Sequence, residues 1–252
     1  EASEVEYTGV HPLYWGLANS RNNYSAWIMK QAKSPEAVAQ FIHDIGIKSY
    51  IDPVVALCIG SYDSNTFEMA SAYSTFANKG VHVDPIFVTR IEDNQGNVLA
   101  TFTPKTEEVL SRRVAYTMIT MMQRVVTMGT ARRMIYEFNF GDVEIAAKTG
   151  TTNDNVDAWF MCALPNLVMG VWVGGEENGI HFTRNADGSR IALPIAGKFL
   201  TKVFEDGSLG VERTDRFERS DEEPDYSCEV DMEEQPTQSV EDDIFFDEGG
   251  FF

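Results

Sequence analysis

Two polar clusters interrupt apolar stretches of this 252-residue sequence, and both hold side chains that could act on a substrate. The first is Ser20-Arg21-Asn22, and the second is Lys148-Thr149-Gly150-Thr151-Thr152. Ser20 and Asn22 supply a hydroxyl and a carboxamide, which can relay a proton and orient an amide substrate. The same residues could instead cap a helix that begins near Tyr24, and the sequence alone leaves both possibilities open.

The second cluster places an ammonium and hydroxyl groups at the end of a predicted strand. Because Gly150 has no Cβ, another backbone can approach closely there. An extended peptide could add to this strand edge, with Lys148 and Thr149 holding its terminal carboxylate. A phosphate-binding loop is an alternative, but it needs glycines before the lysine, where Ala146 and Ala147 stand. An ordinary strand end would also explain the sequence Lys148-Thr149-Gly150, so the cluster alone does not identify a function.

Apolar periodicity, helix caps and turn residues predict the elements that must position these clusters. Ser34-Pro35-Glu36 combines an N-cap, a first-turn proline and an acidic residue, which together indicate a helix start. A turn across 93–96 predicts a hairpin between two strand-like runs. Helices are predicted at 13–18, 24–31, 35–45, 65–80, 112–127 and 193–204, and strands at 86–92, 97–102, 143–149, 158–164 and 167–174.

The run Leu167 to Gly174 is apolar on both faces, which predicts a central strand covered by helices on both sides. Pro165-Asn166 is short enough to require antiparallel pairing of this strand with the preceding one. The predicted fold class is therefore a layered α/β (α+β) body, with a mainly antiparallel sheet flanked by helices.

Most of the formal net charge of -19 lies at one end of the sequence. From Glu205 onward there are 18 acidic residues and three arginines, which leaves 21 acidic and 17 basic residues before it. We expect a body at residues 1–206 and a disordered acidic tail at 207–252. The apolar islands Ile244-Phe245-Phe246 and Phe251-Phe252 leave open whether this tail is simply solvated or holds a short docking motif. The body has no basic patch, which argues against nucleic acid as a partner.

The cysteine and histidine residues give no sign of a metal or a cofactor. Cys58, Cys162 and Cys228 are unevenly placed, which favours buried thiols over a disulfide framework or a metal site. The four histidines (His11, His43, His82, His181) fit neither a serine–histidine–acid arrangement nor a zinc-ligand spacing. We expect no cofactor and no metal. No apolar run of about 18 residues and no signal peptide is found, so we expect any address or anchor upstream of Glu1.

In this order, the two clusters match two of the three signatures of serine penicillin-binding proteins and β-lactamases, S-D-N and K-T-G. From about Leu13 to Phe204, the chain resembles the transpeptidase domain of class A, bifunctional penicillin-binding proteins. The resemblance also includes CIGSYDSNTFEMASAYSTFANKG, MMQRVVTMGTARR, AAKTGTTNDNVDAWFMCALPNLVMGVWVGG and ALPIAGKFL. It implies a penicillin-binding, serine β-lactamase-like fold that is incomplete at its N-terminus.

The sequence departs from the family pattern in two ways. Arg21 takes the central position of the first cluster, where the signature has aspartate. No S-x-x-K precedes this cluster, since the only upstream serine is Ser3 and Glu6 stands three residues beyond it. The resemblance therefore implies that the nucleophilic serine and its lysine lie outside this chain, which alone is expected to be inactive.

The resemblance implies a peptidoglycan D,D-transpeptidase that acts on D-Ala-D-Ala stem peptides by acyl-serine chemistry and is captured by β-lactams. Ser20 would relay a proton to the leaving group, and Asn22 would contact the substrate amide. Lys148 and Thr149 would hold the substrate carboxylate, Gly150 would permit close approach, and the Thr151 N–H would serve the oxyanion hole. Thr152 lies near the site without an assigned role. Asp154 and Asp157 are expected to shape the loop after the strand rather than to ionise in catalysis.

Three interpretations follow from the missing nucleophile. The first is a split or truncated transpeptidase, whose N-terminal portion supplies the serine, a glycosyltransferase domain and an inner-membrane anchor that holds the protein in the periplasm. The second is a non-catalytic cell-wall scaffold that binds stem peptides. The third is a β-lactam hydrolase, which would need a water-activating base that the sequence does not offer. Because the first strands and the serine-bearing helix would share the core, we expect the chain alone to be poorly stable.

Overall fold

A three-stranded antiparallel sheet lies at the centre of the computed structural model, which describes residues 11–152, 155–175, 180–182, 186–221 and 224. Its strands are β5 (Ala146–Thr151), β6 (Asp157–Leu164) and β7 (Leu167–Gly174), in the order β5-β6-β7. Leu164 pairs with Leu167 across the two-residue turn between β6 and β7. The predicted antiparallel pairing of these strands is confirmed.

β7 lies at one edge of this sheet, which differs from the predicted central position. In the part of the chain that the structure describes, β6 is the only strand that pairs with it. Its two faces are covered by different helices, α4 (Thr66–Ala77) and α7 (Leu193–Glu205). The prediction that helices cover both faces of this strand is therefore confirmed. A pattern that is apolar on both faces shows what lies above and below a strand, but not how many strands lie beside it.

The helices largely match the predicted ranges because local caps determine where they begin. Besides α4 and α7, the helices are α1 (Leu13–Ala18), α2 (Asn22–Gln31), α3 (Pro35–Asp44), α5 (Arg112–Thr127) and α6 (Arg133–Tyr136). The Ser34 Oγ accepts from the Ala37 N–H at the start of α3, and Asn65 and Ser111 cap α4 and α5 in the same way. α2 begins two residues before its predicted start.

Two short strand pairs lie outside the main sheet. The predicted hairpin is present as β2 (Arg90–Glu92) and β3 (Val98–Thr101), both shorter than expected. The second pair, β1 (Val81–Val83) with β4 (Thr106–Glu108), was not predicted. Three-residue strands are too short to show the alternation of apolar and polar side chains from which a strand is predicted.

The core is divided between the two sides of the molecule. The largest buried cluster joins one face of β5 and β6 to α7, the end of α5 and α6, and it includes Phe160, Leu200 and Met134. A second cluster joins α3, α4 and the 3-10 turn Val55–Ile59. The sheet with helices on both sides confirms the predicted layered α/β class. Among the described residues, we find no helix with the length and hydropathy of a membrane span.

Residues 207–221, which the sequence analysis assigned to a disordered tail, pack against the body; we call them the C-terminal strap. Arg213 pairs with Asp142, donates to the Asn139 carbonyl and lies over the rings of Phe140 and Phe204. Phe217 is only 7% exposed. The structure thus moves the boundary of any tail beyond residue 221. Residues 225–252 lie outside the described residues, so their disorder stays a prediction.

Two features explain why composition placed the strap in the tail. Its main anchors, Arg213 and Phe217, stand in a largely polar stretch, and such single anchors hardly change the average composition of residues 207–252. Its acidic residues also have specific partners on the body, since Glu218 pairs with both Lys79 and Arg112. The Phe217 N–H donates to the Glu144 Oε2 at 2.8 Å. The strap is therefore attached by individual contacts, which composition does not reveal.

Replacing the buried ring of the strap should destabilise the body. We expect Phe217→Ala to lower the free energy of unfolding by about 3 kcal/mol, because removal of a buried phenylalanine leaves a cavity. Phe87→Ala is the matched control, since Phe87 is 86% exposed and should change little. Chemical denaturation of the two variants and the wild type measures the difference. Equal effects of the two substitutions would show that the strap does not contribute to the core.

Candidate active site

Ser20 lies in the tight connection between α1 and α2, in a backbone conformation that side chains rarely adopt. Its φ angle is 53°, in the left-handed region. The connection is closed by two backbone hydrogen bonds, from the Ser20 N–H to the Leu17 carbonyl at 3.1 Å and from the Arg21 N–H to the Gly16 carbonyl at 2.9 Å. These bonds hold the serine hydroxyl outward at the end of α1, where it is exposed.

The structure also decides against the helix-cap alternative for the first cluster. α2 begins at Asn22 with Arg21 as its N-cap, and no side chain caps it. Asn22 is exposed at the first residue of the helix. The guanidinium of Arg21 lies 5.5 Å from the centre of the Trp15 ring. Neither the Ser20 hydroxyl nor the Asn22 side chain therefore caps the helix.

Lys148 brings the two clusters together, although they are 128 residues apart in the sequence. Its Nζ donates to the Ser20 Oγ at 2.7 Å and to the Thr149 carbonyl at 2.7 Å. Burial lowers the pKa of Lys148 to about 8, because desolvation disfavours the charged ammonium. Both the ammonium and the neutral amine are thus accessible near neutral pH, so the pair can pass a proton in either direction.

The end of β5 presents the second cluster beside a strand edge. In the described ranges, the only strand that pairs with β5 is β6, so its outer edge has no ladder partner. Thr149 is nearly buried, and its Oγ1 lies 2.7 Å from the Thr130 Oγ1. The Thr151 Oγ1 accepts from the Gly188 N–H at 3.1 Å. An extended peptide could add to this edge of the sheet.

Gly150 faces its partner strand more tightly than the sequence predicted. A Cβ at this position would lie 3.1 Å from the Cβ of Trp159, its cross-strand neighbour. That distance is shorter than most contacts of real Cβ atoms, so a larger residue would require Trp159 to shift by a few tenths of an ångström. The glycine thus also fits the packing of the sheet, in addition to any approach of a substrate.

Asp157 holds the turn after β5, as expected for a residue that shapes the loop. Its Oδ1 accepts from the Trp172 indole N–H at 2.7 Å, and its Oδ2 accepts from the Thr152 hydroxyl at 3.1 Å. The Thr152 Oγ1 accepts in turn from the Asp157 N–H at 2.8 Å. Thr152, which had no assigned role, therefore closes the turn together with Asp157. Asp154 lies outside the described residues.

The second cluster opens onto a large cavity on one side of the sheet. The cavity has a volume of about 790 Å³, and all five residues from Lys148 to Thr152 line it. Its aromatic lining consists of Tyr62, Tyr73, Trp159 and Trp172, and its polar lining includes Asp63, Ser64 and Asn65. Ser20 and Asn22 are not among the lining residues. Ser20 is connected to the cavity through its contact with Lys148.

A threonine–histidine–aspartate chain elsewhere in the molecule was not expected from the sequence. The His82 Nδ1 lies 3.1 Å from the Thr75 Oγ1, and its Nε2 lies 3.2 Å from the Asp84 Oδ1. Thr75 is fully buried and its hydroxyl donates to the Ile45 carbonyl, so no substrate reaches it. These three hydrogen-bonded residues therefore have a structural role. In the described residues, no group of histidine, cysteine and acidic side chains could hold a metal ion.

Thr130 is the residue of this region that the sequence analysis missed. It follows α5 in a short turn, and its hydroxyl contacts Thr149 while its backbone N–H donates to the Ala18 carbonyl at 3.1 Å. The only local signal is the glycine that precedes it, which is equally typical of a helix end.

The sequence of this chain is similar to those of known proteins that share one family. The family model described as penicillin binding protein transpeptidase domain matches residues 14–200. Penicillin-binding protein 1A of Aquifex aeolicus is 35% identical over 192 residues, which cover 76% of this chain and 25% of that protein. Penicillin-binding protein 1A of Neisseria flavescens is 34% identical over 199 residues, covering 77% and 24%. The chain thus spans about a quarter of the length of these curated relatives.

Solved structures show the same fold. Penicillin-binding protein 1A from Haemophilus influenzae superposes with a TM-score of 0.70 at 23% identity, covering 81% of this chain and 35% of that one. PonA1 of Mycobacterium tuberculosis, solved in complex with penicillin V, has a TM-score of 0.66 at 26% identity, covering 83% and 59%. These similarities confirm the predicted penicillin-binding fold. The chain belongs to the family of penicillin-binding protein transpeptidase domains, and its relatives are class A penicillin-binding proteins.

Proposed function

We propose that this chain is part of a peptidoglycan D,D-transpeptidase and that the edge of β5 binds the D-Ala-D-Ala end of a stem peptide. The observation that carries the proposal is the contact of 2.7 Å between the Lys148 Nζ and the Ser20 Oγ, beside a strand edge to which no described strand pairs. The contact places Lys148 and Ser20, which can exchange a proton, beside a strand edge along which an extended peptide can bind.

The β5 edge supplies the groups that recognition of a terminal carboxylate requires. Lys148 offers a cation, and the Thr149 hydroxyl lies on the same strand one residue later. A hydrogen bond between a charged donor and a carboxylate is stronger than a neutral one, so these groups favour peptides that end in a free carboxylate. β-Lactams, with a carboxylate next to a reactive amide, fit the same edge. Among the relatives, PonA1 was solved with penicillin V bound.

In the proposed reaction, a serine hydroxyl from outside this sequence attacks the carbonyl carbon between the two D-alanines. The C–N bond breaks, the last D-alanine leaves with a proton, and an acyl-serine ester remains. An amine of a neighbouring stem peptide then attacks the ester and restores the serine hydroxyl. The attacking hydroxyl gives its proton to the lysine of the S-x-x-K segment outside this sequence, and Ser20 passes a proton to the leaving amine. Lys148 exchanges protons with Ser20, so that the net transfer runs from the attacking serine to the amine.

The remaining candidates are assigned to orientation and charge stabilisation. Asn22, exposed beside Ser20, contacts the substrate amide. The Thr151 N–H donates to the oxyanion that forms at the attacked carbonyl. Gly150 keeps the strand edge flat, and Thr152 holds the turn beyond it. No metal or cofactor has a part in these steps.

The proposal extends to the longer protein in which this domain would work. Its relatives are several times longer than this chain. We propose that the rest of the protein supplies the S-x-x-K segment, a glycosyltransferase domain and an inner-membrane anchor that holds the domain in the periplasm.

One observation favours a second candidate function. The sequence contains no S-x-x-K at any position, so the chain has the peptide-binding edge without the nucleophile. A cell-wall scaffold that binds stem peptides without acylation would need no more than this edge.

Labelling with a fluorescent penicillin separates these two functions. We expect no labelling of the chain alone, and labelling when it is produced together with the residues encoded upstream of Glu1. In the longer protein, Lys148→Met should slow labelling about 100-fold, because loss of a general acid–base group has effects of this size. Lys198→Met, on the exposed side of α7, is the matched control. A longer protein that is folded and binds stem peptides but never labels would favour the scaffold.

The pKa of Lys148 gives a second prediction, for stability as a function of pH. Folding lowers this pKa from 10.5 to about 8, so between these values the unfolded chain binds more protons than the folded one. The contribution of Lys148 to stability therefore rises with pH across this window, and below pH 8 the folded state bears the full penalty of the buried charge.

We expect the unfolding free energy of the wild type to rise relative to that of Lys148→Met by about 2 kcal/mol between pH 7 and pH 10. Burial also raises the pKa of Cys162, to about 12, and that of Tyr73, but both residues are present in both proteins, so their effects cancel in the difference. Denaturation at several pH values measures it, with Lys198→Met as the control. If the difference in unfolding free energy between the wild type and Lys148→Met did not change with pH, folding would not lower the pKa of Lys148.

A further inference from the structure

We propose that Thr130 is a positioning residue for carboxylate recognition, because its hydroxyl sets the direction of the Thr149 hydroxyl proton. The inference rests on the proposed function, since it specifies how the β5 edge distinguishes a free terminal carboxylate from a neutral end. Thr130 lies outside both polar clusters, in the turn between α5 and α6.

The hydroxyl pair carries the chemical part of the inference. The Oγ1 atoms of Thr130 and Thr149 lie 2.7 Å apart, a normal distance for an O–H···O hydrogen bond. Each hydroxyl has one proton and can also accept. If Thr149 donated to Thr130, it would have no proton for a substrate. When Thr130 donates, its bond occupies one lone pair of the Thr149 oxygen, holds the hydroxyl in place and leaves its proton for a carboxylate oxygen. Without that bond, Thr130 no longer holds the Thr149 proton toward the ligand.

Burial makes the direction of this bond consequential. Thr149 is 9% exposed, so water has little access to reorient its hydroxyl. In a partly buried site, a correctly oriented donor adds more to binding than it would in water, and a wrongly oriented one leaves the carboxylate unpaired. Thr130 therefore affects carboxylate binding although it needs no contact with the ligand.

The backbone of the same turn is fastened to the first cluster. The Thr130 N–H donates to the carbonyl of Ala18 at 3.1 Å, and Ala18 is fully buried two residues before Ser20. A Cβ on Gly129 would lie 2.1 Å from the Ala18 carbonyl oxygen, so only glycine permits this approach. Through its backbone and its side chain, Thr130 thus bonds to both regions that meet at Lys148.

The two bonds can be separated by substitution. Thr130→Val keeps the backbone N–H, the β-branched shape and nearly the same volume, and replaces the hydroxyl with a methyl group. Thr130→Ser keeps the hydroxyl and removes a methyl group. A structural role would make the two variants similar or favour valine, whereas a positioning role requires that serine restores what valine loses.

The test compares two synthetic peptides that end in D-Ala-D-Ala, one with a free carboxylate and one with a carboxamide. Their dissociation constants are measured by NMR titration for the wild type, Thr130→Val, Thr130→Ser and Thr149→Val. We expect the wild type to prefer the carboxylate about tenfold, which corresponds to one well-oriented charge-assisted hydrogen bond. Thr149→Val should lose this preference, Thr130→Val should lose most of it, and Thr130→Ser should retain it.

Each outcome has a distinct meaning. If the wild type shows no preference for the carboxylate, the proposed function fails, and this inference fails with it. If the preference is lost in Thr149→Val but intact in Thr130→Val, the proposed function stands and only the inference is overturned. Equal weakening of both peptides by Thr130→Val, or a serine variant no better than valine, would show a purely structural role and would also overturn it.

Discussion

The contact between Lys148 and Ser20 is the constraint on which the rest of the site depends. It joins the helical side of the molecule, where Ser20 follows α1, to the sheet, where Lys148 lies within β5. A lysine ammonium has three protons, and the Ser20 hydroxyl and the Thr149 carbonyl take two of them. A buried cation needs such partners, because without them desolvation would neutralise it. The contact therefore fixes the relative position of two elements distant in sequence.

Sequence reasoning succeeded where the physical cause is local. The bounds of α5 and β7 were predicted as observed, because a helical apolar face and a continuous apolar run both appear within one stretch of residues. Helix caps such as Ser34 act within three residues of themselves. The edge position of β7 depends on what lies beside the strand, which no property of the strand itself encodes. The C-terminal strap was missed for a related reason, since its attachment depends on Phe217 and Arg213 finding partners far away in the sequence.

The residues of the candidate site also divide into those that the sequence could predict and those that depend on contacts distant in sequence. Ser20 and Lys148 were chosen by residue type and order, and the structure places them in contact; their catalytic roles remain proposals. Asp157 was expected to shape its loop because it follows the cluster closely, and its bonds to Thr152 and Trp172 agree with that expectation. Thr130 could not be found in this manner. A threonine after a glycine at a helix end is unremarkable, and only the three-dimensional structure shows that both its backbone and its hydroxyl are engaged.

The left-handed backbone of Ser20 has a consequence for the balance between stability and activity. Glycine adopts this conformation freely, whereas a residue with a Cβ pays roughly 1 kcal/mol to remain there. A glycine at position 20 would thus relax the loop, while depriving the lysine of its hydroxyl partner. The serine side chain contributes to the described part of the fold only through this one contact. Selection for a relaxed loop alone would therefore remove the hydroxyl to which the proposed reaction assigns proton transfer.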